Sequence, residues 1–132
     1  MRALGASNHS AARLGEALAV SAKLGLPRYE VVQPKYNLVD RADFEAELAA
    51  VAQQQSLGVV SYFSLASGFL TGKYRSVDDL QGAARAAFLE GYFDARGRKV
   101  LDAVRAVADA LSATPAQVAL AWLMQRPAVT AP

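Results

Sequence analysis

The chain has no cysteine and a single histidine, His9. Without cysteine there is no disulfide and no thiolate chemistry. One histidine leaves no His-based metal cluster and argues against a Ser-His-Asp triad. Charge is also scarce: Asp, Glu, Lys and Arg make up 20% of the residues, and the formal net charge is +2. The densest basic stretch, Arg96, Arg98 and Lys99, lies between Asp94 and Asp102. It reads as a solvated helix start, not a nucleic-acid patch. No apolar run approaches the roughly 18 residues of a membrane span. Residues 1–25 lack the basic start, apolar run and cleavage site of a signal peptide. The expectation is a cytoplasmic protein with neither a nucleic-acid nor a membrane partner.

What is present is a regular pattern. The 132 residues, 53% of them hydrophobic, suit one globular domain spanning 1–132. Arg2 to Ala6 is a short apolar run. Ser10 is a candidate N-cap for a helix from Ala11 to Leu24, and Gly25 follows as its C′ residue. Leu14, Ala17, Leu18 and Ala22 form its apolar face. Tyr29 to Gln33 is a second strand. Asp40 can cap a helix from Arg41 to Gln55, with Phe44, Leu48 and Val51 inward. Gly58 to Phe63 is a third strand, β-branched and aromatic, as expected of a strand covered on both faces. Strand starts just under 30 residues apart match a βα repeat, so the fold class is α/β with parallel strands.

Beyond Lys73 the pattern loosens. Tyr74 to Gly91 reads as a long loop with one short helical turn. A helix follows from Ala95 to Ser112, with Val100 or Leu101, Val104, Val107 or Ala108, and Leu111 in its core stripe. Thr114-Pro115-Ala116-Gln117 opens another helix: Thr114 caps, Pro115 takes the first helical position and Gln117 completes a capping box. Trp122 reads as core, and Val129-Thr130-Ala131 opens a fourth strand.

In parallel βα folds, ligands bind at the carboxyl ends of strands. Polar residues gather there: Ser7 and Asn8, then Gln33, Tyr36 and Asn37, then Tyr62 to Lys73. Ser7 and Asn8 suit either local capping or an amide ligand. Gln33, an amide at the end of a buried strand, needs partners. Tyr36 and Asn37 read as turn and packing residues, and His9 as a partly exposed loop residue. The loop Leu65-Ala66-Ser67-Gly68-Phe69-Leu70-Thr71-Gly72-Lys73 offers glycines, hydroxyls and a lysine to an anion, without Walker A spacing.

Three of these segments together carry a resemblance. Tyr62 to Tyr74 is similar to the Tyr-Ser-Pro-Leu-Ala-x-Gly-x-Leu-Thr-Gly-Lys-Tyr segment of aldo-keto reductases. Gly5-Ala6-Ser7-Asn8 and Gln33-Pro34-Lys35-Tyr36-Asn37 resemble the segments after that family's fifth and sixth strands, and Thr114 to Leu123 resembles one of its helices. The resemblance implies the C-terminal half of a (β/α)8 TIM barrel, from strand five to the start of strand eight. A whole barrel needs about 250 residues.

It further implies NADP(H) as cofactor and a small aldehyde or ketone as substrate, reduced to an alcohol by hydride transfer. Ser7, Asn8 and Gln33 would hold the nicotinamide carboxamide, and Tyr62 would stack on the ring. Leu65, Ser67, Gly68 and Lys73 would line the pyrophosphate and ribose. The chain departs from the family in having Phe63-Ser64 where Ser-Pro is usual. The family's Tyr, Lys, Asp and His acid group belongs to segments before strand five, so the resemblance implies no catalytic residue here and no turnover by this chain alone. The alternatives are a non-enzymatic cofactor-binding or interaction module, and a remnant without a ligand. A half-barrel also implies self-association or pairing with a separate N-terminal half.

Overall fold

A computed structural model describes residues 2–83 and 85–132. Four strands, β1 (Leu4–Ser7), β2 (Tyr29–Gln33), β3 (Gly58–Val60) and β4 (Val129–Ala131), form one parallel sheet in the order β1-β2-β3-β4. Register pairs Ser7 with Gln33, Val32 with Val59 and Val59 with Val129. Strand order that follows chain order, with a helical crossover between neighbours, brings every strand's carboxyl end to the same edge.

Local signals set the first crossover. Helix α1 (Ala11–Leu24) starts where Ser10 Oγ accepts from Arg13 N and stops at Gly25, φ +64°, whose N–H reaches the Ser21 carbonyl. Leu14 and Leu18 are buried against the sheet, but Ala22 is exposed. Val20 and Leu24 are 50% and 62% exposed.

The second crossover departs from expectation. A π-helical segment (Phe44–Leu48) runs into α2 (Ala49–Gln54). Phe44, Leu48 and Ala52 are buried, and Val51 packs at their margin. Asp40 does not cap this helix: its carboxylate receives side-chain donors from Tyr92, Asn37 and Lys35 instead. The capping preference is overridden by better partners from a distant segment.

Strand β3 is shorter than its β-rich sequence suggests. Tyr62 forms only an isolated bridge with Lys35, and Phe63 has φ +54°, which a strand cannot continue. Only one face of the sheet is fully covered. Ala6, Val32 and Val59 are buried beneath the helices, whereas Val31 and Val60 on the other face are half-buried.

The Tyr74 to Gly91 region is more ordered than a loop. It holds 3₁₀ turns at Val77–Leu80 and Glu90–Tyr92 and the short helix α3 (Ala86–Leu89). Ser76 and Asp79 form a capping box that the sequence pattern did not reveal. Leu80, Leu89, Tyr92 and Phe93 join Phe69, Leu70 and Leu101 in a second apolar cluster, separate from the one under the sheet.

Helix α4 (Ala95–Ala110) begins at Asp94, whose Oδ1 accepts from Gly97 N at 2.6 Å. Leu101, Val104 and Ala108 are buried, while Leu111 lies past the helix end and is 68% exposed. Helix α5 (Pro115–Met124) carries the expected capping box of Thr114 and Gln117. Trp122 is half-buried rather than fully in the core, with the guanidinium groups of Arg126 and Arg41 at 4.8 and 5.2 Å from its ring.

Candidate functional site

The carboxyl edge of the sheet gathers the polar residues singled out above into two places. The first joins the ends of β1, β2 and β3. Ser7 Oγ donates to the Gln33 carbonyl at 3.2 Å, and Asn8 Nδ2 donates to Ser7 Oγ at 3.3 Å. The Tyr62 hydroxyl donates to Asn8 Oδ1 at 2.8 Å across 54 residues of sequence. Asn8 holds φ +56°, a conformation Asn tolerates better than most residues. Neither Ser7 nor Asn8 caps α1, since Ser10 does that. Local capping is thus not their role. Gln33 is exposed, not buried, so no burial penalty forces its amide to a protein partner.

The second place is a cavity of about 620 Å³ lined by Leu65, Ser67, Gly68 and Lys73, together with Phe63 and Arg85. Its floor is unusual backbone. Ala66, Ser67 and Gly68 have successive φ values of +49°, +57° and +104°. Left-handed conformation is unfavourable for residues with a Cβ and persists only where the surroundings impose it. The Ser67 hydroxyl is buried with no hydrogen-bond partner among the described residues. A buried, unpaired polar atom costs about 1–3 kcal/mol unless something satisfies it. Lys73 Nζ sits over the Tyr74 ring at 4.6 Å, and neither Lys73 nor Arg85 is ion-paired among the described residues. Two cations unpaired among the described residues, an unsatisfied hydroxyl and a glycine-bearing left-handed turn thus share one pocket. Arg85 was missed by sequence reasoning, because nothing in a polar loop marks which basic residue folds back.

The two places are not one cavity. Asn8 and Tyr62 open on a separate hollow of about 460 Å³ with His9, Pro34 and Lys35. They are linked through the chain itself, since Tyr62 belongs to the first and Phe63 to the second. The two rings meet edge-on at 5.4 Å. Phe63 also faces Phe88 of α3 at 6.0 Å.

Tyr36 and Asn37 are indeed packing residues. Tyr36 is buried against Phe44 at 4.5 Å and donates to Glu45 Oε1 at 2.7 Å. Burial, reinforced by Glu45, pushes its hydroxyl pKa up. Asn37 is fully buried and organises the turn after β2: its Oδ1 accepts from Val39 N and Asp40 N, each at 2.8 Å.

A third cluster, unforeseen from the sequence, sets Tyr92, Lys35 and Asp40 together. Burial works against the Asp40 carboxylate, but hydrogen bonds from Tyr92, Asn37 and Lys35 outweigh it and hold its pKa below the usual range. Burial and the Asp40 carboxylate raise the Tyr92 hydroxyl. Burial opposes the Lys35 ammonium, yet Asp40 and Tyr92 together more than compensate and its pKa rises. A tyrosine bonded this way gives up its proton less readily than a free one.

A sequence model described as the aldo/keto reductase family matches residues 1–132. The chain belongs to the aldo/keto reductase family. It is 34% identical over 133 residues to a probable voltage-gated potassium channel subunit beta of Oryza sativa subsp. japonica. It is 33% identical over 131 residues to protein tas of Escherichia coli. An uncharacterized oxidoreductase of Mycobacterium bovis is 36% identical over 134 residues. These matches take in 96% to 98% of this chain but only 38% to 40% of the relatives. An aldo/keto reductase chain of this extent thus spans about two-fifths of the length of the curated relatives it matches.

Proposed function

We propose that the chain forms the cofactor-binding side of an NADPH-dependent reductase of aldehydes and ketones, built as a (β/α)8 barrel to which it contributes consecutive βα units. The observation that carries this reading is the buried, unpartnered Ser67 hydroxyl in the left-handed Ala66-Ser67-Gly68 turn, beside Lys73 and Arg85. That donor set fits a diphosphate, which needs donors and positive charge and offers only acceptors.

The remaining assignments follow the strand ends. Gln33, Ser7 and Asn8 provide donors and acceptors for a carboxamide, which has one of each kind of group. Tyr62, tethered to Asn8 by its hydroxyl, presents its ring as a stacking surface. When bound, the nicotinamide cofactor supplies the hydride. The residues of this chain bind it, orient one face of its ring and hold its phosphates.

The reduced carbonyl oxygen needs a proton from a positioned acid. Tyr36 and Tyr92 already donate to Glu45 and Asp40, and both have raised pKa values. Neither suits the task. This reading assigns no catalytic residue to the chain, and turnover by the chain alone should fall at least about 10²- to 10⁴-fold short of a complete enzyme.

Calorimetric titration with NADPH and NADH tests the reading. Weak binding is expected, and both Ser67→Ala and Lys73→Ala should weaken it about tenfold. No binding by the parent chain would sink the assignment. The similarity to potassium channel beta subunits favours one second reading, an interaction module that keeps a cofactor without turnover. Supplying the first four βα units of a relative as a separate polypeptide separates the two: NADPH oxidation with an aldehyde appears under the first reading only.

A further inference from the structure

We propose that Asp40 is a positioning residue for the anion-holding loop between Leu65 and Gly72, acting through two arms that leave its carboxylate. Three donors converge on Asp40 Oδ2: the Tyr92 hydroxyl at 2.5 Å, Asn37 Nδ2 at 2.9 Å and Lys35 Nζ at 3.1 Å. The Arg96 guanidinium secures the turn that bears Asp40 by donating to the Val39 carbonyl at 2.7 Å.

The first arm runs through Tyr92. Its ring stacks on Phe69 with centroids 5.5 Å apart and planes inclined at 23°. The neighbouring Phe93 meets Phe69 edge-on at 5.2 Å. Phe69 is fully buried and directly follows Gly68. The second arm runs through Asn37. Its Nδ2 donates to the Phe63 carbonyl at 3.0 Å as well as to Asp40. That same carbonyl accepts from Ala66 N at 2.7 Å. One carboxylate thereby grips the loop on both sides of Ala66-Ser67-Gly68.

The loop requires such a grip. Three successive left-handed residues, two of them not glycine, form a conformation that survives only where surrounding contacts over-determine it. The intrinsic preferences of Ala66 and Ser67 oppose it. Phe63, also left-handed at φ +54°, lies at the foot of the second arm. Asp40 is not among the residues lining the cavity that holds Ser67, so its effect on that site passes through Tyr92 and Asn37.

The inference rests on the cofactor reading above, since it names what holds that site's backbone, and its test has a part that needs no ligand. Tyr92→Phe deletes the hydroxyl and keeps the ring on Phe69. Amide hydrogen exchange is followed by NMR in the ligand-free chain over Ala66–Thr71, with β1, β2 and β3 as the internal reference. Exchange in the loop should rise about tenfold, the size of one hydrogen bond to a charged group, with the sheet amides unchanged. Asp40→Ala, which cuts both arms, should raise it further. Asp40→Asn keeps an acceptor for Tyr92 and should recover most of that loss.

NADPH titrations of the same variants should weaken in the same order. Loop exchange equal to the parent's in Tyr92→Phe and Asp40→Ala overturns the proposal whatever the titrations show. A rise shared equally by loop and sheet overturns it too, because it marks global destabilisation. If the parent chain binds no NADPH, the cofactor reading fails, and the ranking of exchange rates alone decides the role of Asp40.

Discussion

Replacing Gly97 by alanine puts two opposed effects in direct competition. Gly97 lies in the first turn of α4, where propensity alone favours alanine by about 1 kcal/mol. The surroundings forbid it. A Cβ at Gly97 would lie 1.8 Å from the Tyr92 carbonyl oxygen and 2.9 Å from its carbon, both backbone atoms. An ordinary contact needs about 3.5 Å, so the helix start and the Glu90–Tyr92 turn would have to separate by well over an ångström.

That separation disturbs named interactions. The Asp94 cap on Gly97 N, at 2.6 Å, is the kind of interaction worth about 1 kcal/mol. The Tyr92 hydroxyl bond to the Asp40 carboxylate is of a kind worth about 1.5–3 kcal/mol. Losing most of both, less the propensity gain, leaves Gly97→Ala destabilised by about 1–3 kcal/mol. The assay is urea unfolding of the parent, Gly97→Ala and Gly15→Ala. Gly15 sits inside α1, and a Cβ there would have nothing within 4 Å, so its replacement should stabilise by up to about 1 kcal/mol. Stabilisation by Gly97→Ala comparable to that of Gly15→Ala would refute the packing of α4 on Tyr92 and the reasoning built on it.

Acid should act on the Asp40 cluster in a defined direction. Its folded pKa is depressed, so its ionised form contributes stability above the ordinary carboxylate value of about 4, and that contribution vanishes as the pH falls through the folded value. Unfolding free energy measured from about pH 6 downward should decline, and Asp40→Asn should flatten part of the slope; an unchanged slope would remove Asp40 from the account. Self-association is also expected. Strand β1 has one open edge, and Val20, Leu24 and Leu26 are each at least half exposed on the adjoining helix and its exit. Light scattering across a dilution series should show dimers or larger species, reduced in a Val20→Glu, Leu24→Glu variant; a monomer at all concentrations would contradict this.

The sequence by itself settled what depends on near neighbours. Helix α1 begins and ends at Ser10 and Gly25, and α5 begins at Thr114 with its capping box, because a cap needs only residues three or four apart. The spacing of the apolar runs determined the parallel βα repeat, and the motifs at three strand ends determined the family. The tertiary structure decided what depends on segments far apart. Asp40 could cap a helix, but a tyrosine 52 residues away offered its carboxylate a stronger partner. Tyr74 to Gly91 looked like loop because its helical turns are too short for periodicity, and their apolar residues find a core by packing on Phe69 and Leu70. Gln33 ends a strand whose position was legible, yet its exposure depended on which face of the sheet the helices cover. Propensity and capping act within a few residues along the chain, whereas burial and charge pairing act between whatever surfaces the fold brings into contact.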